Sequence, residues 1–302
     1  MKKIYINRKP VYGPWGGGAK TVNKLWEQLE TRGHTVVDRL QSGIDIIFCF
    51  DPRPNHNGEH YQHFINYRAT NSDTKIVQRV GDLGTHSKPL LTSLVKQTLS
   101  ISDYFIFPSL WAKEWIGFAG ENGCVIDNAP MPIFYDNRSQ ILNLPDQVSV
   151  VTHHWSTNPK KGFDLYRLFE KWAATNNISF NYIGQLPPNT KFINYIKPIS
   201  AAELAKELPK HHIYLTASEE EAGANHVLEA LAAGLPVVYR DTGGSIVNYC
   251  EGYGESYGDF DSMVNAFGNV VKKYQSYKQS VLSYTDMNDL VIDKYCDLLE
   301  KF

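Results

Sequence analysis

Short runs of apolar residues alternate with segments of helical period along the whole chain. In the first half, KIYIN (3–7), HTVV (34–37), DIIFCF (45–50), KIVQRV (75–80), DYFIFP (103–108) and CVID (124–127) predict strands. Segments near 18–32, 59–70, 88–101 and 109–119 predict helices between them. The strand runs are mostly apolar throughout, not alternating, which predicts strands buried on both faces of a parallel sheet between helix layers. A stretch over 128–146, carrying Pro130, Pro132 and Pro145, has no clear period and is the best domain boundary. The pattern then restarts with strands at VSVVTH (148–153), ISFNYIG (178–184), KFINYI (191–196), HIYLTA (212–217) and PVVYR (236–240). Helices are expected at 162–176, 201–208, 224–233, 260–275 and 286–302. Two successive β/α halves predict an α/β protein of two doubly wound domains, 1–145 and 146–285. Ligands of such sheets sit at the carboxyl ends of strands, and a cleft between two such domains is the natural site.

Composition narrows the classes without choosing among them. The 302 residues suffice for two cores that need neither disulfides nor metal. No run approaches the ~20 apolar residues of a membrane span. The opening MKKIYIN lacks the apolar core of a signal peptide, so a cytoplasmic protein is expected. Lys and Arg are scattered at a formal net charge of −2, which argues against a nucleic-acid partner. Cys49, Cys124, Cys250 and Cys296 lie far apart, a poor basis for a zinc site or a disulfide framework. No basic amphipathic helix suggests membrane docking, although peripheral contact stays open.

Two stretches carry candidate chemistry. The first is GPWGGGAKT (13–21), between the first strand and the first helix, where glycines allow close backbone approach to an anion at a helix start. It is not a P-loop, because Ala19 separates Gly18 from Lys20. Nor is it the dinucleotide fingerprint, because Thr21 stands where the last glycine belongs. The second is TASEEEAGANHVLEALAAGLPVVYRDTGG (216–244): a strand end, an acidic loop and a helix stopped by Gly234 and Pro236. Glu221 and Glu229 are eight positions apart, roughly 12 Å along a continuous helix. That is wider than the about 5–10 Å of paired glycosidase carboxylates. It suits gripping two ends of an extended polar ligand, hydroxyls on the carboxylates and phosphate on the N–H groups of the helix start.

The segment 218–244 resembles the signature of retaining glycosyltransferases of the GT-B fold, family four (glycosyltransferase group 1). Ser218, Glu221, Glu229, Ala230, Ala232, Gly234, Pro236, Val237, Val238, Gly243 and Gly244 fit that pattern, with Ala222 standing where a glycine is common. Gly16 and Gly17, with the helix behind them and the R-G-H strand entry, resemble the family's opening loop. THHWSTNPKKGFDLY (152–166) resembles the start of its donor domain. The resemblance implies two Rossmann-like domains, an acceptor side (1–145) and a nucleotide-sugar side (146–285), with the last helix (286–302) returning to the first. It implies transfer of a hexose from a nucleotide-diphosphate sugar to a carbohydrate or other hydroxyl, with retention, in carbohydrate biosynthesis, and without a metal or other cofactor. Lys161 would be the cation for the leaving phosphate; where many relatives carry an arginine this chain has Trp155, so either Lys160 or another residue would supply the second charge, or the site would run with one. Glu221 would hold hydroxyls of the moving sugar, Glu229 the ribose, and Gly223 and Asn225 the diphosphate through backbone. A non-catalytic nucleotide-sugar binder and a nucleotide-sugar epimerase are the competing readings.

On the acceptor side, Arg79, Asp82 and His86 follow a strand and are candidates to orient the acceptor, while Trp155 is a candidate to stack on a ring. The triplet Asp259–Asp261 precedes a helix, where capping is the expected role over metal binding. His56, His60 and His63 have the spacing of one helical face, expected to be solvated and metal-free.

Overall fold

The computed structural model describes residues 1–11 and 17–302. The chain divides into two compact units, Met1–Asn128 with Asn288–Phe302, and Ala129–Met287.

In unit 1, strands β1 (Lys3–Ile6), β2 (Thr35–Val37), β3 (Ile46–Cys49), β4 (Lys75–Arg79), β5 (Tyr104–Phe107) and β6 (Gly123–Val125) form one parallel sheet. Their order is β2-β1-β3-β4-β5-β6, with helices α1 (Gly17–Thr31), α2 (Tyr61–Thr70), α3 (Pro89–Thr98) and α4 (Leu110–Trp115) as crossovers. All four residues of β3 are buried, as expected for a strand covered on both faces.

Unit 2 opens with α5 (Ile133–Asp136) and repeats the scheme. Its strands are β7 (Val148–His154), β8 (Ile178–Gly184), β9 (Asn194–Ile196), β10 (Ile213–Thr216), β11 (Val237–Arg240) and β12 (Gly254–Tyr257). They run parallel in the order β12-β11-β10-β7-β8-β9. The helices are α6 (Phe163–Ala174), α7 (Ala201–Glu207), α8 (Asn225–Ala232), α9 (Ser245–Cys250), α10 (Phe260–Lys272) and α11 (Tyr274–Leu282). Neighbouring residues feed opposite cores: Val151, Tyr214 and Val237 pack with α8, while Val150, Ile213, Leu215 and Val238 pack with α6 and α10. Because both neighbours in the sequence are buried, the run reads as uniformly apolar. Both units are thus Rossmann-like α/β layers.

The last helix, α12 (Asn288–Glu300), lies in unit 1 against α1. Arg32 reaches Asp293 at 2.7 Å and Asp297 at 2.6 Å, and Lys24 pairs with Asp289. The stretch 129–145, which the sequence reading puts with the first domain, is held in unit 2. Phe134 is fully buried in that core, and Ser139 N–H donates to Ala233 O at 2.9 Å. Four elements escape the sequence pattern: α5 falls in the stretch that shows no period, and the other three lie elsewhere. Edge strand β12 reads GESY, α9 has only six residues, and α11 is polar between its buried Tyr274, Lys278 and Val281.

Candidate functional site

Unit 2 has a topological switch point between β7 and β10. From β7 the chain proceeds to β8 on one side and later returns to place β10 on the other. His153 and His154 end β7, and the acidic run Glu219–Glu221 follows β10.

The lysine pair is built by the turn after β7. Asn158 Oδ1 accepts from Lys160 N–H at 3.0 Å and opens a single 3-10 turn, Pro159–Lys161. Gly162 ends that turn in the left-handed region at φ 78°. A Cβ at Gly162 would lie 2.5 Å from Ala217 O, so its absence lets the lysine turn close onto the exit of β10. Glu219 N–H then donates to Lys160 O at 2.9 Å. Lys161 Nζ is ion-paired with Glu221, and Lys160 Nζ with Glu220. The first pair is the sheltered one, with side chains 11% and 13% exposed against 31% and 38% for the second. Shelter from solvent keeps its electrostatics strong where the outer pair is screened.

Glu221 is pinned by backbone. Its N–H donates to Gly243 O at 3.1 Å, its carbonyl accepts from Ser245 N–H at 2.9 Å, and it forms a parallel bridge with Gly244. Gly244 sits at φ 71°, and a Cβ there would be 2.6 Å from Glu221 O. Glu221 therefore precedes α8 and is not on it, so the separation worked out along a continuous helix does not describe the pair. Ala224 N–H donates to Ser245 Oγ at 3.1 Å, after which α8 starts at Asn225 without a side-chain cap.

Glu229, in the second turn of α8, is buried and faces β7. Its Oε2 lies 2.9 Å from His153 Nε2, and Tyr214 Oη lies 3.1 Å from His153 Nδ1. A carboxylate only accepts, so Nε2 carries a proton and Tyr214 can donate to Nδ1. Burial pushes the Tyr214 phenol well above its ordinary pKa and keeps that proton in place. A second chain runs beside it. Ala217 N–H donates to Tyr166 Oη at 2.8 Å, and Tyr166 Oη lies 2.7 Å from His154 Nε2. Burial raises the Tyr166 pKa to about 12. His226, in the first turn of α8, has Nε2 3.0 Å from Thr216 Oγ1, and its ring lies 4.9 Å from that of His154. The residue pattern singled out Glu229 and carried the predicted strand as far as His153. It missed Tyr214, Tyr166 and His226, whose only signal is polar tips in otherwise apolar runs.

Of the remaining candidates, Trp155 directly follows β7 and is half-buried in unit 2. Gly223 and Asn225 flank the start of α8. Gly17 opens α1 in unit 1, and Gly16 lies outside the described residues. Arg79 is buried in unit 1, donating to Tyr295 Oη at 3.0 Å and Asn128 Oδ1 at 3.2 Å. Its guanidinium carbon also stands 4.8 Å from the Phe50 ring centroid. Asp82 accepts from Lys88 Nζ at 2.8 Å, and His86 lies half-buried four residues beyond it. The three histidines do not share a helical face, because α2 starts only at Tyr61. His56 precedes it and lies 3.1 Å from Asp38, while His60 and His63 form a capping box. Asp259 caps α10, accepting from Ser262 N–H at 2.8 Å. Among the described residues, no group of three or more His, Cys, Asp or Glu is placed to hold a metal ion, and no helix is long and apolar enough to cross a membrane.

No protein-family model matches the sequence, and no curated protein matches it. Solved structures do match over essentially the full length. WaaG, a glycosyltransferase involved in lipopolysaccharide biosynthesis, superposes with a TM-score of 0.70 at 14% identity over 98% of this chain and 99% of its own. HepE of Anabaena, in complex with UDP and glucose, gives 0.70 at 13% identity over 100% of both chains. Sucrose-phosphate synthase of Thermosynechococcus elongatus gives 0.70 at 15% identity, over 100% of this chain and 99% of its own. At such identities the likeness establishes the fold, a GT-B architecture of two Rossmann-like units.

Proposed function

We propose that the chain is a retaining glycosyltransferase that moves a hexose from a nucleotide-diphosphate sugar to an acceptor hydroxyl, with no metal. The observation that carries this reading is the sheltered Lys161–Glu221 pair beside the start of α8, with Glu229 buried one turn further on. Breaking a sugar–diphosphate bond builds negative charge on the departing phosphate. A fixed ammonium and aligned N–H donors stabilise that charge where it develops. Lys161 supplies the ammonium, held in position by Glu221, and the backbone of Gly223 and Asn225 faces the diphosphate. Lys160 adds a second, more solvated charge. Glu221 accepts from hydroxyls of the moving sugar, and Glu229, oriented by His153, accepts from the ribose. Unit 2 is then the donor side and unit 1 the acceptor side. The likeness in fold to WaaG, and to HepE with its UDP and glucose, supports the same reading.

The test is a melting and hydrolysis screen with UDP-, GDP-, ADP- and TDP-sugars. A ligand at 100 times its dissociation constant stabilises the fold by about 2.7 kcal/mol, a visible shift. One donor should raise the melting temperature of the wild type and turn over slowly, with the anomeric configuration retained by NMR and no loss of rate in EDTA. No shift with any nucleotide sugar or free nucleotide overturns the donor site.

A further inference from the structure

Unit 1 holds a cavity of about 630 Å³ that none of the candidate acceptor residues lines. It lies beyond the carboxyl ends of β1 and β3, the neighbouring strands whose connections leave in opposite directions, and so at the switch point of this sheet. Its volume falls in the range of small-molecule sites, about 300–1,000 Å³. Phe50, Val22 and Pro54 give it an apolar wall, and the cationic residues Arg8, Lys9 and Arg53 also line it.

The charge does not balance locally. Asp51 is the one carboxylate among the described lining residues, and both arginines share it: Arg8 at 3.2 Å, and Arg53 through Nε at 3.0 Å and an Nη at 2.5 Å. Burial alone raises the Asp51 pKa, but Arg53 and Arg8 outweigh it and hold the carboxyl below its usual range, so Asp51 stays an anion. The next carboxylate, Asp82, is 3.8 Å from Arg53 and is taken at 2.8 Å by Lys88. The wall is preorganised by Asn7, which is wholly buried, accepts from Phe50 N–H at 2.8 Å and donates to Asp51 O at 2.5 Å.

We propose that this cavity binds an anionic ring compound of monosaccharide size, carrying a phosphate or a carboxylate, as the acceptor. The ring lies on the apolar wall, and the acidic group meets Arg53 and Lys9, whose heads reach solvent and can turn to it. As an acceptor site it rests on the transferase reading. As an anion site it stands on its own charge and shape.

The experiment titrates glucose 6-phosphate, glucuronate and glucose into the full chain, with and without UDP, and into the Lys9→Gln/Arg53→Gln double variant. Both side chains are partly exposed, and the melting curve of the double variant verifies its fold. At least one acidic sugar should bind, glucose should not, and added UDP should leave that binding in place. Loss of hydrogen bonds to charged groups should weaken binding about tenfold or more in the double variant. A phosphate preference and a carboxylate preference are separated by the first two probes. Glucose binding as tightly as the acidic sugars, competition by UDP, undiminished binding in the double variant, or no binding of either acidic sugar each overturns the proposal. Acidic-sugar binding without any nucleotide binding leaves the anion site intact and removes the donor reading instead.

Discussion

His153 Nε2 lies 2.9 Å from Glu229 Oε2, and both side chains are almost wholly out of solvent. Removing Glu229 leaves the buried Nε2–H of His153 without an acceptor, at a cost of about 1–3 kcal/mol on top of the lost packing. Glu229→Ala should therefore lower stability strongly. Glu229→Gln, whose amide oxygen still accepts from Nε2, should cost much less. Both variants should lose stabilisation by the nucleotide, because the proposed ribose contact needs the second carboxylate oxygen. Melting curves with and without UDP separate the two effects. A Glu229→Gln variant that binds nucleotide as well as the wild type sinks the ribose assignment.

Lys161 and Glu221 are predicted to act as a unit. Lys161→Ala should cut donor turnover about 10²-fold, the scale of losing one electrostatic contact to the developing charge. Glu221→Gln should impair turnover as well, by freeing the ammonium and weakening the grip on the sugar. Lys160→Ala, at the solvated pair, should lose less because exposed ion pairs are screened. Initial rates of donor hydrolysis at saturating donor test the ranking. Equal losses at 160 and 161 would mean the sheltered pair has no special place in the reaction.

How much of this was legible follows from which contacts are local. Runs such as DIIFCF and VSVVTH announced buried parallel strands because helices cover both faces. The edge strand Gly254–Tyr257 did not, since its polar Glu255 and Ser256 break the run. Likewise α9 is too short to display a period. Lys161, Glu221 and Glu229 stood out by pattern, but their partners did not. The Lys161–Glu221 pair spans 60 residues and the His153–Glu229 pair 76, and both exist only because β10 lies beside β7. The three-histidine face failed for a local reason, as His60 is the N-cap of α2 and His56 precedes it.

Gly244 should tolerate no side chain. Its φ of 71° is costly for any other residue, and a Cβ would press on Glu221 O at 2.6 Å, which is backbone and cannot swing aside. Gly252, at φ 81° with nothing within 4 Å, bears the first cost alone. Gly244→Ala should thus destabilise by about 1–3 kcal/mol more than Gly252→Ala, taking the larger of the two costs as backbone displacement. It should also lower donor turnover by moving Glu221, whereas Gly252→Ala should leave turnover near the wild type. Denaturant midpoints and initial rates on both variants decide it, and matching midpoints would contradict the contact argument.

Lys278 is wholly buried and donates to Gly234 O, with Arg138 nearby. Burial first, and the Arg138 charge second, lower its pKa to about 8. In the unfolded chain a lysine titrates near about 10.4. Between those values the unfolded chain holds a proton that the folded chain has released, so stability rises with pH across the window from about 8 to 10.4. Below about 8 both states are protonated and the folded state carries the full penalty of a buried ammonium. Lys278→Met removes that dependence while losing the pH-independent hydrogen bond to Gly234. The stability of the wild type relative to Lys278→Met should therefore climb from pH 7.5 to pH 10, by an increment on the order of 3 kcal/mol. Urea unfolding of both proteins across that range measures the increment directly. A difference that stays flat would place the Lys278 pKa at its ordinary value despite the burial, and one that falls would place it above that value.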